Sequence, residues 1–279
     1  MKLMTLNTHS LVEPDYANKK EEFIKVIEKE QPDLIALQEV NQSINAKEIN
    51  DEKLFIRCSD FNRPVRMDNH ALAVVEGLRK LGICYYWTWI SAKIGYDKYD
   101  EGMAILSKKP IVKVEQHLIS QVNDYTNWKT RRMLGVQLEG SSDWFYTVHM
   151  GWWNDTEEPF KNQWDKIETV AKSKKDSPIW LMGDFNSPDD IMGEGYQLIC
   201  NRGWMDTYHL AYKKDNGITV EEEIDGWKDS DNRGCNKKEK RLDYIFCNKK
   251  RKIKSSYVFC NGKAYPIVSD HYGVYIEVE

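Results

Sequence analysis

Apolar residues occur along this chain in two patterns, one with the spacing of a helix and one in short continuous runs. In the stretch 19–30, Phe23, Ile24 and Ile27 recur at helical spacing, and Pro32 marks the break that follows. Helical spacing predicts helices over residues 19–30, 69–81 and 158–173. The continuous runs predict strands over residues 3–7, 34–38, 83–90, 103–106, 110–114, 133–138, 144–149, 179–182, 242–247, 256–260 and 273–278.

Many strands separated by few helices predict an α/β layered fold. Two segments, 42–68 and 213–240, are too irregular to be assigned to an element, and each could be a specificity loop or a solvated insertion. The polar residues that could take part in catalysis are scattered along the chain from Asn7 to His271. We therefore expect a single domain, residues 1–279, to bring them together.

Carboxylate, amide and imidazole side chains stand at the ends of several predicted strands. A phosphate ester resists water because its oxygens are negative, so a catalyst must neutralise them and hold a water in line. Carboxylates bind Mg²⁺ or Mn²⁺ through oxygen, and a histidine held by a carboxylate supplies a base or a donor. Residues that can meet the first need are Glu39, Asp184, Asn186 and Asp270, and those that can meet the second are His149 and His271.

Each of these residues also has an ordinary structural interpretation. Asp184 could cap a helix, and Glu39 could be a solvated strand end. His271 taken alone could be a hydrogen-bonded interior histidine, and Asn186 a turn residue. Their order and their positions beside apolar runs favour one metal-assisted site that cleaves phosphate esters.

Together these residues resemble the endonuclease/exonuclease/phosphatase superfamily, which includes deoxyribonuclease I. The resemblance covers the whole chain, and its matching motifs are residues 4–7, 32–40, 101–107, 147–149, 183–186 (Gly-Asp-Phe-Asn), 241–246 and 269–271 (Ser-Asp-His). It implies a four-layer sandwich, in which two packed and mostly antiparallel β-sheets are flanked by helices. It also implies a divalent metal, Mg²⁺ or Mn²⁺, and leaves open whether one ion or two operate.

The resemblance further implies roles for the matching residues. Glu39 would be the principal metal ligand, with Asn7 and Asp270 as ligands or as their partners. Asp184 would activate the attacking water or share the metal, and Asn186 would donate to the phosphoryl group. Two histidines would flank the phosphorus, each oriented by a carboxylate: His271 by Asp243, and His149 by Glu101.

Charge bears on the substrate. The net charge of -4 and the pI near 6.0 argue against nucleic acid, because nucleic-acid enzymes usually carry a basic footprint. The basic run 249–252 lies between two predicted strands and is interpreted as a solvated hairpin turn. Arg131 or Arg132 could supply a cation for the phosphate, or could simply end a strand in solvent.

The sequence also predicts a location. No segment approaches the roughly 20 apolar residues of a membrane span, and the first residues do not form a signal peptide. The cysteines form no C-x-x-C pair and are expected to be reduced thiols. We therefore expect a cytoplasmic protein without a membrane partner. Its oligomeric state is left open.

Tryptophans beside the motifs suggest a sugar substrate. Trp152 and Trp153 follow His149 closely, and flat aromatic faces next to polar groups suit a sugar ring. Trp227 lies in the polar segment 213–240. By contrast, other tryptophans are expected to be core residues, namely Trp164 and Trp180.

Within the superfamily, several stretches resemble the bacterial maltose 6'-phosphate phosphatases. These stretches are residues 6–10, 37–42, 94–102, 151–155 and 158–160. The resemblance implies hydrolysis of maltose 6'-phosphate to maltose and phosphate, with Trp152 and Trp153 as sugar contacts. Two alternatives stay open: a Mg²⁺-dependent nuclease or DNA-repair phosphodiesterase using the same residues, and a binding module without turnover, which the intact set of polar residues disfavours.

Overall fold

The structure is a computed structural model that describes residues 1–50, 53–60, 63–174, 176–222, 224 and 239–279. Its strands are β1 (Lys2–Asn7), β2 (Leu34–Ser43), β3 (Tyr86–Gly95), β4 (Tyr99–Ser107), β5 (Ile111–Leu118), β6 (Arg132–Leu138), β7 (Trp144–His149), β8 (Ile179–Asp184), β9 (Met205–Asp206), β10 (Ala211–Lys214), β11 (Asp243–Cys247), β12 (Ile253–Phe259) and β13 (Gly273–Val278). Its helices are α1 (Tyr16–Glu30), α2 (His70–Lys80), α3 (Phe160–Ser173), α4 (Gly195–Asn201), α5 (Thr207–Leu210) and a short 3₁₀ turn, Ser10–Val12.

The strands form two sheets. One has seven strands in the order β10-β12-β13-β1-β2-β4-β3, and the other has six in the order β5-β6-β7-β8-β11-β9. The parallel pairs are β1 with β2, β7 with β8, and β10 with β12; the other pairs described are antiparallel. This is the DNase I-like α/β sandwich that the sequence predicted.

Three apolar clusters hold the layers together. One lies between the sheets, where side chains such as Leu34 and Ile105 of one sheet share a cluster with Phe145 and Met182 of the other. A second packs α1 and α2 on the seven-stranded sheet. A third packs α3 and α4 on the six-stranded sheet and contains Trp164. The layers therefore run helix, sheet, sheet, helix, and burial of both sheet faces supplies the main driving force for folding.

The predicted elements agree with the observed ones in kind and differ at their ends. The three predicted helices are present as α1, α2 and α3, and Trp164 and Trp180 are buried as expected. Four short elements between residues 195 and 214 were not predicted, because two to seven residues are too few to show a period. Trp227 lies outside the described residues.

The interpretation of residues 249–252 as a hairpin turn is wrong. The strands on either side, β11 and β12, belong to different sheets, so this segment crosses from one layer to the other. Arg251 pairs with Asp143 at 3.2 Å and is not a freely solvated turn residue. Sequence pattern alone could not separate the two cases, since both join two strands by a short polar segment.

Among the described residues, no helix has both the length and the apolar content needed to cross a membrane. The cysteines in this part of the chain are free thiols.

Candidate active site

Three neighbouring strands of the six-stranded sheet bring polar residues side by side. His149 ends β7 in register with Asp184, which ends β8, and Asp184 is also in register with Asp243 at the start of β11. Gly183 precedes Asp184 with φ 142°, and a Cβ there would lie 2.1 Å from the carbonyl oxygen of Val148. Glycine is therefore required for β7 and β8 to approach closely beside the site.

The seven-stranded sheet supplies Asn7, at the end of β1, and Glu39, at an irregularity within β2. The ladder between β2 and β4 shifts register between Leu37 and Val40, and Glu39 takes a left-handed φ of 50°. Asn7 Nδ2 donates to Glu39 Oε1 at 2.9 Å and to Asp184 Oδ2 at 3.2 Å. Asn7 thus joins the ends of the two sheets at the site.

Asp184 Oδ2 lies at the centre of this arrangement. His149 Nε2 is 3.6 Å from it and His271 Nε2 is 3.8 Å from it. The backbone N–H of Asn186 donates to Asp184 Oδ1 at 2.8 Å, and the Asn186 side chain donates to the carbonyl of Met150 at 2.9 Å. The predicted hydrogen bond between His271 and Asp243 is present, with 2.8 Å from Nδ1 to Oδ2.

The two histidines have opposite electrostatic environments. Burial, reinforced by the charges of Arg131 and Lys93, lowers the pKa of His149 well below its usual range. Burial acts the same way on His271, but the carboxylates of Asp243 and Asp184 raise its pKa well above the usual range. The site therefore offers a neutral imidazole on one side of Asp184 and a protonated one on the other.

A second group of polar residues could hold a cation. Burial and the nearby Glu101 carboxylate raise the pKa of Glu39, and Asp270 adds to this effect. His9, 3.8 Å from Asp270, has a pKa of about 9, because its hydrogen bond to Glu13 and the charge of Asp270 outweigh the effect of burial.

Carboxylate oxygens suit Mg²⁺ or Mn²⁺, and Glu39 and Asp270, which face the same cleft, could hold such an ion. Asn7 turns its amide nitrogen toward Glu39, and the Asn7 oxygen accepts from the backbone of His9 at 3.2 Å. This orientation fits a partner that positions Glu39. A group formed by Asp184, Asp243 and His271 is also close enough to hold a metal.

Most of these residues line one cleft of about 500 Å³, whereas Asn7 and Asp243 are not among its lining residues. We call its buried or half-buried base the floor, formed by Glu39, Arg131, His149, Asp184, Asn186 and His271. We call its more exposed mouth the rim, formed by Tyr96, Trp128, Trp152, Asn154 and Asp155.

Some predicted residues lie elsewhere. Arg132 is not among the residues lining the cleft and donates to Asn123 at 2.7 Å. Trp153 packs on Phe160, with 6.0 Å between ring centroids, as part of the apolar cluster beneath α3. The residue directly before each of them in the chain, Arg131 or Trp152, does line the cleft.

Glu101 lines the cleft, but its partner is Lys93 and not the predicted His149. Its Oε1 is 2.6 Å from Lys93 Nζ, and within the part of the chain that the structure describes it makes no hydrogen bond to His149.

The cleft lining in the described part of the chain includes further residues that the sequence did not predict as site residues, among them His9, Lys93 and Trp128. His9 stands in the Asn-Thr-His stretch that was already noted, and its position two residues after Asn7 was the available signal. Trp128 is 51% exposed, which is unusual for a tryptophan. Lys93 had no sequence signal because a shift in strand register turns it toward the cleft.

Comparison with known proteins agrees with this geometry. The sequence matches the Endonuclease/Exonuclease/phosphatase family over residues 4–271, whereas no curated protein matches it. A solved structure of an endonuclease/exonuclease/phosphatase family protein from Leptotrichia buccalis C-1013-b is 34% identical, with a TM-score of 0.86 over 100% of this chain and 99% of that one.

More distant structures share the fold. The mannosyl-6-phosphatase Bt3783 of Bacteroides thetaiotaomicron VPI-5482 is 16% identical, with a TM-score of 0.68 over 100% of this chain and 99% of that one. Truncated TDP2 of Caenorhabditis elegans is 16% identical, with a TM-score of 0.59 over 99% of this chain and 96% of that one. The chain belongs to the endonuclease/exonuclease/phosphatase family.

Proposed function

We propose that this chain is a divalent-metal-dependent phosphomonoesterase that hydrolyses a phosphorylated sugar. The specific substrate we propose is maltose 6'-phosphate, as the resemblance of residues 94–102 and 151–155 to the phosphatases of that sugar implies. The observation that carries the proposal is a buried arginine, Arg131, beside the carboxylate and imidazole groups of the floor.

Arg131 has the properties of a phosphate ligand. The residue is 5% exposed and lines the cleft, and its Nε has no hydrogen-bond partner among the described residues. A buried donor without a partner is costly, so such a group is expected to be satisfied by a ligand. The planar guanidinium matches the oxygens of a phosphate, with which it forms charge-assisted hydrogen bonds.

The sugar ring would lie on the aromatic part of the rim. Trp152 has its ring 5.6 Å from the Arg131 guanidinium, and Trp128 meets Trp152 edge to face at 5.7 Å. When the phosphate of a ligand binds Arg131, the sugar that carries this phosphate therefore lies next to the indole ring of Trp152. Asn154 and Asp155 stand nearby for its hydroxyls. The Bacteroides mannosyl-6-phosphatase is consistent with a sugar phosphatase on this fold.

The floor would divide the chemical work among its residues. A bound Mg²⁺ or Mn²⁺ would neutralise phosphate oxygens and the charge of the leaving oxygen. Asp184 would orient the attacking water and accept its proton as the water oxygen bonds to phosphorus, and Asn186 would donate to the phosphoryl group. The bond from phosphorus to the sugar oxygen would break, and this oxygen would leave as a hydroxyl after taking up a proton from solvent. His271, kept protonated by Asp243, would donate a hydrogen bond to a phosphate oxygen, while neutral His149 would hold the opposite side.

The proposal also assigns a cellular setting. The phosphatases that residues 94–102 and 151–155 resemble act on a sugar phosphate delivered into the cell by a phosphotransferase system, so the resemblance implies a cytoplasmic enzyme. The substrate would be small and phosphorylated, and nucleic acid would not be required.

The test is phosphate release by the purified protein with Mg²⁺. Maltose 6'-phosphate, glucose 6-phosphate and a short DNA duplex containing an abasic site are compared, each with an EDTA control. Metal-dependent release from the disaccharide supports the proposal, and cleavage of DNA with both sugars untouched rejects it in favour of the nuclease alternative. Arg131→Met should abolish most turnover, and the adjacent Arg132→Met, outside the cleft, serves as the matched control.

A further inference from the structure

Lys93 is a buried cation that lines the cleft beside the floor. The residue is only 7% exposed and lines the cleft together with Arg131 and His149. Lysine is seldom buried to this extent unless it is paired. Its partner is Glu101, with 2.6 Å between Lys93 Nζ and Glu101 Oε1.

An irregularity in strand β3 directs Lys93 to this position. Ser91 pairs with Gly102 and Lys93 pairs with Glu101, so Ala92 is an extra residue on its strand. Bulges of this kind re-aim side chains and occur often beside active sites. The bulge places Lys93 directly across from Glu101 at the edge of the cleft.

The surroundings of Glu101 leave room for this pair. A Cβ on residue 95 would lie 2.9 Å from Glu101 Oε2, so Gly95 provides space that a larger residue would fill. The Lys93 ammonium has three N–H donors, and its contact with Glu101 uses one of them. Within the described part of the chain, Glu101 is the ion-pair partner of Lys93, which leaves donors that a ligand in the cleft can use.

Lys93 and Arg131 act on the same part of the floor. After burial, their charges are the next largest influences that lower the pKa of His149. Glu101, which pairs with Lys93, is also the carboxylate whose charge most favours the charged form of Arg131. Two cations therefore stand near one histidine of the floor.

We propose, resting on the phosphomonoesterase function above, that Lys93 and Arg131 together bind the terminal phosphate, and that Lys93 makes the site prefer a monoester to a diester. A phosphate monoester carries about -1.5 to -2 charges near neutral pH and has three free oxygens. A diester carries one charge and has two. The second cation matches the additional charged oxygen that only the monoester has.

The test uses Lys93→Met, Glu101→Gln and the double variant. Each is assayed on p-nitrophenyl phosphate and on bis(p-nitrophenyl) phosphate, with inorganic phosphate as competitive inhibitor. Lys93→Met should lower kcat/KM for the monoester roughly 10- to 100-fold more than for the diester, and should weaken inhibition by phosphate. Comparison of the double variant with Glu101→Gln should show the same larger loss of kcat/KM on the monoester. Residue 101 is neutral in both of these variants, so no unpaired carboxylate is left to disturb folding.

Lys174→Met is the matched control, because Lys174 is also a largely buried lysine, 2.5 Å from Glu115, but lies outside the cleft. It should leave the ratio of the two activities unchanged. Equal losses on both esters, or unchanged inhibition by phosphate, would show that Lys93 only neutralises Glu101 and would overturn the inference alone. A wild-type protein that cleaves only the diester would instead reject the proposed function itself.

Discussion

The floor and the rim of the cleft are built in different ways. Floor residues such as Asp184 and His271 stand at or beside strand ends, are almost fully buried and are joined by short hydrogen-bonded connections. Rim residues such as Trp128 and Tyr96 lie on loops and are about half exposed. Under the proposed function, this difference would place the reaction chemistry on buried residues of two sheets and substrate choice on loops that can vary without disturbing the core.

The largest effect is expected from removing the centre of the floor. Asp184→Ala should lower kcat by at least ~100-fold, because the proposed attacking water would lose its base and both histidines would lose the carboxylate whose Oδ2 lies 3.6 and 3.8 Å from them. Steady-state kinetics at saturating metal would measure it. Asp143→Asn, which alters a carboxylate bonded to Trp180 and Arg251 outside the cleft, is the control. Comparable activity in both variants would contradict the role of the floor.

Metal binding should depend on the other side of the floor. If Glu39 is the metal ligand proposed above, Glu39→Gln should raise the Mg²⁺ concentration needed for half-maximal activity roughly 10- to 100-fold, because that ligand loses its charge. Treatment with EDTA should abolish wild-type activity, and added Mg²⁺ should restore it. A metal titration measures both results. An unchanged midpoint in Glu39→Gln would remove Glu39 from the proposed metal site.

A substitution at the rim is expected to have a smaller effect, limited to KM for the sugar phosphate. Trp152→Ala should raise KM for the sugar phosphate about five- to tenfold, which corresponds to about 1 kcal/mol of lost stacking, and should leave p-nitrophenyl phosphate largely unaffected. Trp153→Ala should leave KM unchanged and lower the melting temperature, since Trp153 packs on Phe160. The opposite assignment of the two effects would show that the sugar binds elsewhere.

The smallest effect on turnover is expected from a carboxylate away from the cleft. Although burial opposes it, hydrogen bonds from His117, Lys174 and Tyr146 lower the pKa of Glu115 to about 2. A lowered pKa stabilises the fold above the unfolded-state pKa of about 4.5, and this contribution is lost as pH falls toward 2.

Glu115→Gln should therefore lower the free energy of unfolding at pH 7, and the difference from wild type should shrink between pH 4.5 and 2. Urea denaturation at several pH values measures it. Activity at neutral pH should be retained. A large loss of kcat would mean that activity depends on a carboxylate outside the floor as well as on those within it.

Sequence reasoning succeeded where chemistry is tied to a strand end. Asp184 and Asp243 directly flank buried apolar runs, so their strands and their proximity to a common edge could be anticipated. Sequence reasoning did not show which way a side chain points. Arg131 and Arg132, like Trp152 and Trp153, are adjacent in sequence, and only one of each pair lines the cleft. Adjacent side chains in extended chain point to opposite sides, as at Arg131 and Arg132 where β6 begins, and pattern alone does not say which side is the cleft; Trp152 and Trp153 lie in a loop, where pattern says even less.

The sequence by itself determined the family, the layered α/β fold and the polar groups at the ends of the strands, because apolar runs and local motifs report burial and chain direction directly. Only the tertiary structure decided that residues 249–252 connect two sheets, that Glu101 faces Lys93, and that Trp128 reaches the cleft mouth. These features depend on strand register, bulges and long-range pairing. Such relations join residues far apart in the chain, so no local pattern records them.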